Sequence, residues 1–145
     1  MLSPDTNRQV ELADRLHSAA IHVLRRVARE DAATGLGAPA LSALSVIVFG
    51  GPLSLGRLAE AERVRPPTMT RTVQGLEAAG LVEREPDPAD GRVVNVRATR
   101  KGVSVLQAAR SRRVGALASS LSALPERDLR TLERSARLLE WIAAG

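Results

Sequence analysis

The stretch PLSLGRLAEAERVRPPTMTRTVQGLEAAGLVEREPDPADGRVVNVRA, Pro52 to Ala98, decides how this chain folds. Ser54 is a side chain that can cap a helix, and the spacing predicts a short helix over about Leu55 to Glu62. Arg63-Val64-Arg65 makes a tight turn, and a second helix opens at Pro66 and ends at Gly80. Two prolines at a helix start remove N–H groups that have no partner inside the helix, so Pro66-Pro67 is tolerated there. The period then changes. Val82-Glu83-Arg84-Glu85, the turn Pro86-Asp87-Pro88-Ala89-Asp90-Gly91, and Arg92 to Ala98 read as two strands around an Asp-Gly turn. Short helix, turn, helix and hairpin in that order make a winged helix-turn-helix.

Outward from this core both flanks are helical. A first helix is expected from Ser3, as cap, to Ala33, with Leu12, Leu16, Ala20, Leu24 and Val27 in one stripe. Gly35 and Gly37 end it, and a second runs from Ala38 to Phe49 with Leu41, Leu44 and Val48 on one face before Gly50-Gly51-Pro52. Thr99 can cap a long helix to about Leu121, and Pro125 opens a last one to about Ala143. Val103, Leu106, Val114, Leu117, Leu121 and Leu124 keep near-heptad spacing, interrupted by Arg110, and Leu129, Leu132, Ala136 and Leu139 continue it. The expected architecture is one domain over 1–145, mainly α with a small β-hairpin wing. Its core is a winged helix-turn-helix over 38–99, and its flanks, 3–34 and 100–145, are dimerisation helices. So much apolar stripe around a small core calls for a partner surface, which predicts a homodimer.

On the second helix of the core, Met69, Val73 and Leu76 fall inward at spacings of four and three. The opposite face carries Pro67, Thr68, Thr70, Arg71 and Gln74, side chains of the kind that read base edges in a major groove. No Asp or Glu occurs from Arg63 through Leu76, although the chain has 16. Arg63 and Arg65 stand ready for phosphates beside the positive end of the helix. At the hairpin, Asp90 and Arg92 are two apart and project to one side of an extended strand. Arg92 then suits a narrow minor groove, or the pair is a solvated ion pair on an exposed turn.

These residues resemble the MarR family. The likeness runs from Leu36 to Gly102 and rests on Thr-x-Thr-Arg at Thr68 to Arg71, Gly-Leu-Val-Glu-Arg at Gly80 to Arg84, and Asp-x-Arg at Asp90 to Arg92. The resemblance implies dimers whose first and last helices interlock on double-stranded DNA. Thr68, Thr70 and Arg71 would then take major-groove positions, Ser54 a phosphate, and Arg92, oriented by Asp90, a minor groove. It also implies a repressor released by a small aromatic or phenolic effector lodged between the dimer layer and the winged layer. Three residues depart from the family pattern: Arg65 replaces a capping Ser, Gly91 a basic wing residue, and Gly75 a charged helix residue.

Composition narrows the alternatives. The net charge of +5 fits a polyanionic partner, and of 21 basic residues only Lys101 is lysine. One Phe, one Trp and no Tyr leave the core to Leu, Ala and Val, and argue against an aromatic ligand cage. The absence of Cys excludes disulfides, zinc–thiolate sites and thiol redox sensing. Met1-Leu2-Ser3-Pro4-Asp5 lacks signal-peptide order, and no apolar run nears the roughly 18 residues that span a bilayer, so a cytoplasmic protein without membrane contact is expected. His17 and His22 lie five apart, unsuited to one metal, and read as surface or interface residues; Phe49 and Trp141 read as core or interface. No nucleophile–base pair, phosphate-cradling loop or metal pair is present, and Asp87 and Asp90 share a turn, so neither an enzyme nor a cofactor is expected. The rival reading is a winged-helix protein-interaction module without DNA binding, against which the acid-free helix face stands.

Overall fold

The computed structural model describes residues 4–145. Ser3, expected as the first cap, lies outside the described residues. In chain order the elements are α1 (Pro4–Val27), a 3-10 helix (Ala28–Thr34), α2 (Ala38–Gly50), β1 (Leu53–Ser54), α3 (Leu55–Ala61), α4 (Pro66–Ala78), β2 (Val82–Pro86), β3 (Val94–Ala98), α5 (Arg100–Leu121) and α6 (Glu126–Ala144).

The core is the winged unit with the start of α5 laid over it. Leu41, Leu44 and Ile47 of α2 meet Leu58 of α3, Met69, Val73 and Leu76 of α4, Val82 and Val96 of the sheet, and Leu106 of α5. Each fully buried aliphatic side chain here stabilises the fold by about 1.5–3 kcal/mol. Ile47, not the expected Val48, is the residue that the second half of α2 buries; Val48 is half-buried at the edge of the core. Met69, Val73 and Leu76 point inward, as their spacing required.

Three sequence expectations change. The first helix does not continue as α to Ala33: the chain tightens into the 3-10 helix at Ala28 and stops at Gly35, which adopts a left-handed φ of +70°. Thr34 Oγ1 donates to the Asp31 carbonyl and accepts from the Leu36 amide, which holds the corner. The sheet has three strands rather than two, in the order β1-β3-β2, because Leu53-Ser54 pairs antiparallel with Val96 and Asn95. Finally, the strands stop at Pro86 and resume at Val94, so Asp90, Gly91 and Arg92 all lie in the intervening loop. Pro86 ends a ladder on edge strand β2, where a missing N–H is tolerated.

Two corners fix α4 to its neighbours. At its end, Gly80 takes φ +71° while the Gly80 and Leu81 amides donate to the Glu77 and Leu76 carbonyls, a Schellman closure. Leu81 then meets α5. Thr99 caps α5 through the Gly102 amide and donates its hydroxyl to the Gly80 carbonyl at 2.7 Å, and Lys101 Nζ reaches the Ala79 carbonyl at 2.7 Å. Gly102 lies flat on this corner. A Cβ there would collide with the Leu81 carbonyl oxygen and stand 3.3 Å from Leu44 Cδ1.

The flanking helices differ from the core. None of residues 5–27 is buried, and α6 buries none of its residues. Leu16, Leu24, Val114, Leu117, Leu132 and Leu139 all face solvent. Phe49 and Trp141 are each 77% exposed, so neither is a core residue of the single chain. His17 and His22 are exposed as well. Among the described residues no single helix is long and apolar enough to cross a membrane.

Candidate nucleic-acid interface

The turn between α3 and α4 is built by capping. Glu62 ends α3, and the Arg63 and Val64 amides donate to the Glu60 and Ala59 carbonyls. This closure places Arg63 at φ +54°, the one positive-φ residue other than glycine among the described residues. A side chain in that region costs about 1–2 kcal/mol relative to glycine, so an arginine kept there is an observation to explain. Glu62 is turned away from the turn, its carboxylate accepting from Ser42 Oγ at 3.0 Å.

Arg65 occupies the N-cap of α4 in extended conformation and makes no side-chain cap. Its guanidinium is therefore not engaged with the helix end. Pro66 and Pro67 follow at the first positions, and the amides of Thr68 and Met69 turn inward to the Arg65 carbonyl. Pro67, Thr68, Arg71 and Gln74 lie exposed on one face. Thr70 is set back: half-buried, it donates its hydroxyl to the Pro66 carbonyl at 3.0 Å, leaving only its acceptor side outward. The nearest acid after this face, Glu77, is taken by Arg84, whose Nε lies 3.0 and 3.1 Å from its two oxygens. The exposed face of α4 thus carries no free carboxylate, the electrostatic condition for approaching phosphate.

Ser54 caps α3, its hydroxyl oxygen accepting from the Arg57 amide at 3.3 Å. Its own proton remains available to an outside acceptor.

In the wing loop, Asp90 Oδ1 accepts from both the backbone amide of Arg92 (3.0 Å) and its Nε (3.2 Å). The pairing expected from sequence is present, but its cause is a side-chain turn in a loop rather than two neighbours along a strand. The Arg92 side chain is 93% exposed. Gly91 is not among the positive-φ residues, so the Asp-Gly step is not a mirror-image two-residue hairpin turn.

Sequence reasoning missed what shapes this loop. Asp87 Oδ1 accepts from the Ala89 and Asp90 amides, and Asp87 Oδ2 accepts from Asn95 Nδ2 at 2.7 Å. The Asp-Pro-x-Asp run was a signal for such a turn, because Asp side chains bond the backbone two residues on. The Asn95 bond holds the Asp87 carboxyl below its ordinary 3.8, with the two amides helping. Because the folded value lies below the unfolded one, this clamp contributes fully above about pH 3.8 and fades as pH falls through the lower folded value. The protection of the Asp90 amide against exchange, taken relative to its intrinsic rate at each pH, should therefore fall below that point, and Asp87→Asn should abolish this change in protection. An unchanged pH profile in that variant would contradict the assignment.

A second feature lies under the winged unit. A cleft of about 350 Å³ is lined by Leu24, Val27, Phe49, Leu106, Val114 and Leu117, together with Ser45, Arg110 and Arg113. A smaller one of about 260 Å³ adjoins it at Ser45, Leu106 and Arg113. There Arg113 Nε stands 3.1 Å from Asp31 Oδ1 but off the hydrogen-bond line, so both keep unmet bonding capacity. No group of three or more metal-ligating His, Asp or Glu side chains exists among the described residues.

A capped turn, an exposed acid-free helix and a β wing with an outward arginine define a winged helix-turn-helix protein. A family model described as MarR family matches residues 34–93. An HTH-type transcriptional regulator of Mycobacterium tuberculosis is 38% identical over 120 residues, 81% of this chain and 84% of the relative. Among solved structures, a Thermotoga maritima transcriptional regulator has a TM-score of 0.82 at 26% identity, covering 91% of this chain and 93% of its own. A variant of S. aureus MepR bound to an oligodeoxyribonucleotide has a TM-score of 0.69 at 17% identity, over 92% and 96% of the two chains. The chain belongs to the MarR family. It is a DNA-binding transcriptional regulator.

Proposed function

We infer that two copies of this chain bind a pseudo-palindromic operator, each placing α4 in a major groove and Arg92 in the flanking minor groove. The acid-free face of α4 carries this reading. Thr68, Arg71 and Gln74, with Pro67 and the acceptor side of Thr70, would meet base edges. Arg63, Arg65 and Ser54 would hold phosphates, and the strained backbone at Arg63 fits a side chain kept for contact rather than for the turn. Asp90 would hold Arg92 in place. The MepR variant, of the same fold, carries an oligodeoxyribonucleotide.

The dimer is proposed from the flanks: 3–34 and 100–145 carry apolar side chains that the chain itself leaves uncovered, around a winged core over 38–99. Two recognition helices should then sit about 34–36 Å apart, one turn of duplex. A role on DNA fits a cytoplasmic location. The cleft under the winged unit supports repression relieved by a small apolar anion, which would shift the pair away from the operator-binding spacing. Its test is a melting shift with small phenolic acids.

The binding test is a gel shift with duplex selected from a random pool, repeated across salt. Affinity should fall steeply as salt rises, because neutralised phosphates release counterions. Arg71→Ala should cost about 1–3 kcal/mol and relax preference at one base position. Arg92→Ala should weaken binding while leaving major-groove preference in place. If neither substitution alters affinity, these site residues are wrong. A winged-helix protein-interaction module would show no salt-dependent duplex binding at all.

A further inference from the structure

Among the described residues Asn95 is the buried polar one, 7% exposed on the middle strand of the sheet. Successive strand side chains face opposite sides, so Asn95 stands on the face away from the fully buried Val96, and a buried amide left unbonded there costs about 1–3 kcal/mol. Packing alone gives no reason for it. Its partner does: Asn95 Nδ2 donates to Asp87 Oδ2, Asp87 Oδ1 fixes the amides of Ala89 and Asp90, and Asp90 fixes Arg92. The ladder partners of Asn95 are Ser54, the cap of α3, and Glu85. A continuous series of hydrogen bonds therefore runs from the centre of the sheet to the wing tip.

We propose that Asn95 and Asp87 are positioning residues for Arg92, setting where the wing's guanidinium stands relative to the helix-turn-helix. This rests on the DNA reading of the wing. Arg92 itself is almost wholly exposed, so its only restraint is Asp90, and Asp90 is held by a loop whose shape Asp87 determines. With the clamp intact, the ordering of the loop precedes binding. With it broken, the loop must be ordered on the DNA, and affinity falls by that cost.

Asn95→Asp sets two carboxylates where one hydrogen bond of 2.7 Å stands. Adding Asp87→Asn restores a donor–acceptor pair of reversed polarity: the new amide at position 87 accepts the two backbone N–H groups through its carbonyl and donates its NH2 to the new carboxylate. Two measurements read the clamp, trypsin cleavage after Arg92 mapped by mass and affinity for duplex selected by the wild-type chain. Asn95→Asp should speed cleavage at Arg92 and weaken duplex binding by about tenfold each, the equivalent of one net hydrogen bond. The double variant should recover both. In an Arg92→Ala background, Asn95→Asp should add no further loss of affinity, since both act through one side chain. Unchanged cleavage in Asn95→Asp, or a double variant as labile as the single one, overturns the proposal. Should the wild-type chain select no duplex, the DNA reading fails, while cleavage at Arg92 still decides whether the clamp exists.

Discussion

Leu139→Asp is expected to convert the protein to a monomer in sedimentation and to reduce its duplex affinity by two to four orders of magnitude. Leu139 lies with Leu132 and Ala136 on one stripe of α6, a helix that buries no residue within its own chain. In proteins most of a helix's stability comes from packing of its apolar face, so α6 needs a surface to lie on. In a symmetric pair each substitution appears twice, and an unpaired charge taken into an apolar interface costs about 3–5 kcal/mol. DNA binding falls further than one half-site's share. Joining two sites makes the second contact intramolecular, and losing that link costs about 10²–10⁴ in affinity. A Leu139→Asp chain that remains dimeric would place the partner surface elsewhere.

The second large effect is Gly102→Ala. The new methyl would meet the Leu81 carbonyl, which already accepts the Thr99 amide at 3.0 Å and cannot retreat without breaking that bond. Overpacking against backbone costs about 3 kcal/mol, equivalent to roughly 10 °C in melting temperature for a chain of this size. Gly115→Ala, in the same helix, is its control. Nothing lies within 4 Å of a Cβ at Gly115, so alanine there should add about 0.5–1 kcal/mol of stability by helix propensity. Opposite signs for one substitution in one helix would show that α5 is locked to the end of the recognition helix. Equal effects would show that it is not. The lock has a functional consequence, because Thr99, Lys101 and Gly102 make the C-terminus of α4 move with α5 rather than independently.

Much of this molecule was written in short-range pattern. The inward row of α4, its exposed acid-free face, the stop at Gly80 and the cap at Thr99 depend on helical period and end chemistry, which involve residues at most a few positions apart. The family motifs lie in the same local segments. The helix limits of α5 follow for that reason, as do the core positions Leu41 and Leu44, whereas Leu106, read from spacing as part of the dimer stripe, is taken into the core of the single chain.

What sequence did not contain is contact between distant residues. Leu53-Ser54 is too short to have a period and becomes a strand only because β3 lies beside it. Asp90 and Arg92 meet through a loop whose shape is set eight positions away from Asp87, at Asn95. Gly102 reads as an ordinary weak point in a helix until Leu81 is brought against it. The left-handed backbone of Arg63 and the exposure of Phe49 and Trp141 were decided the same way. A repeat of three or four residues fixes which face of a helix is apolar, but not what that face lies against; packing supplies that, and with it the placement of the wing.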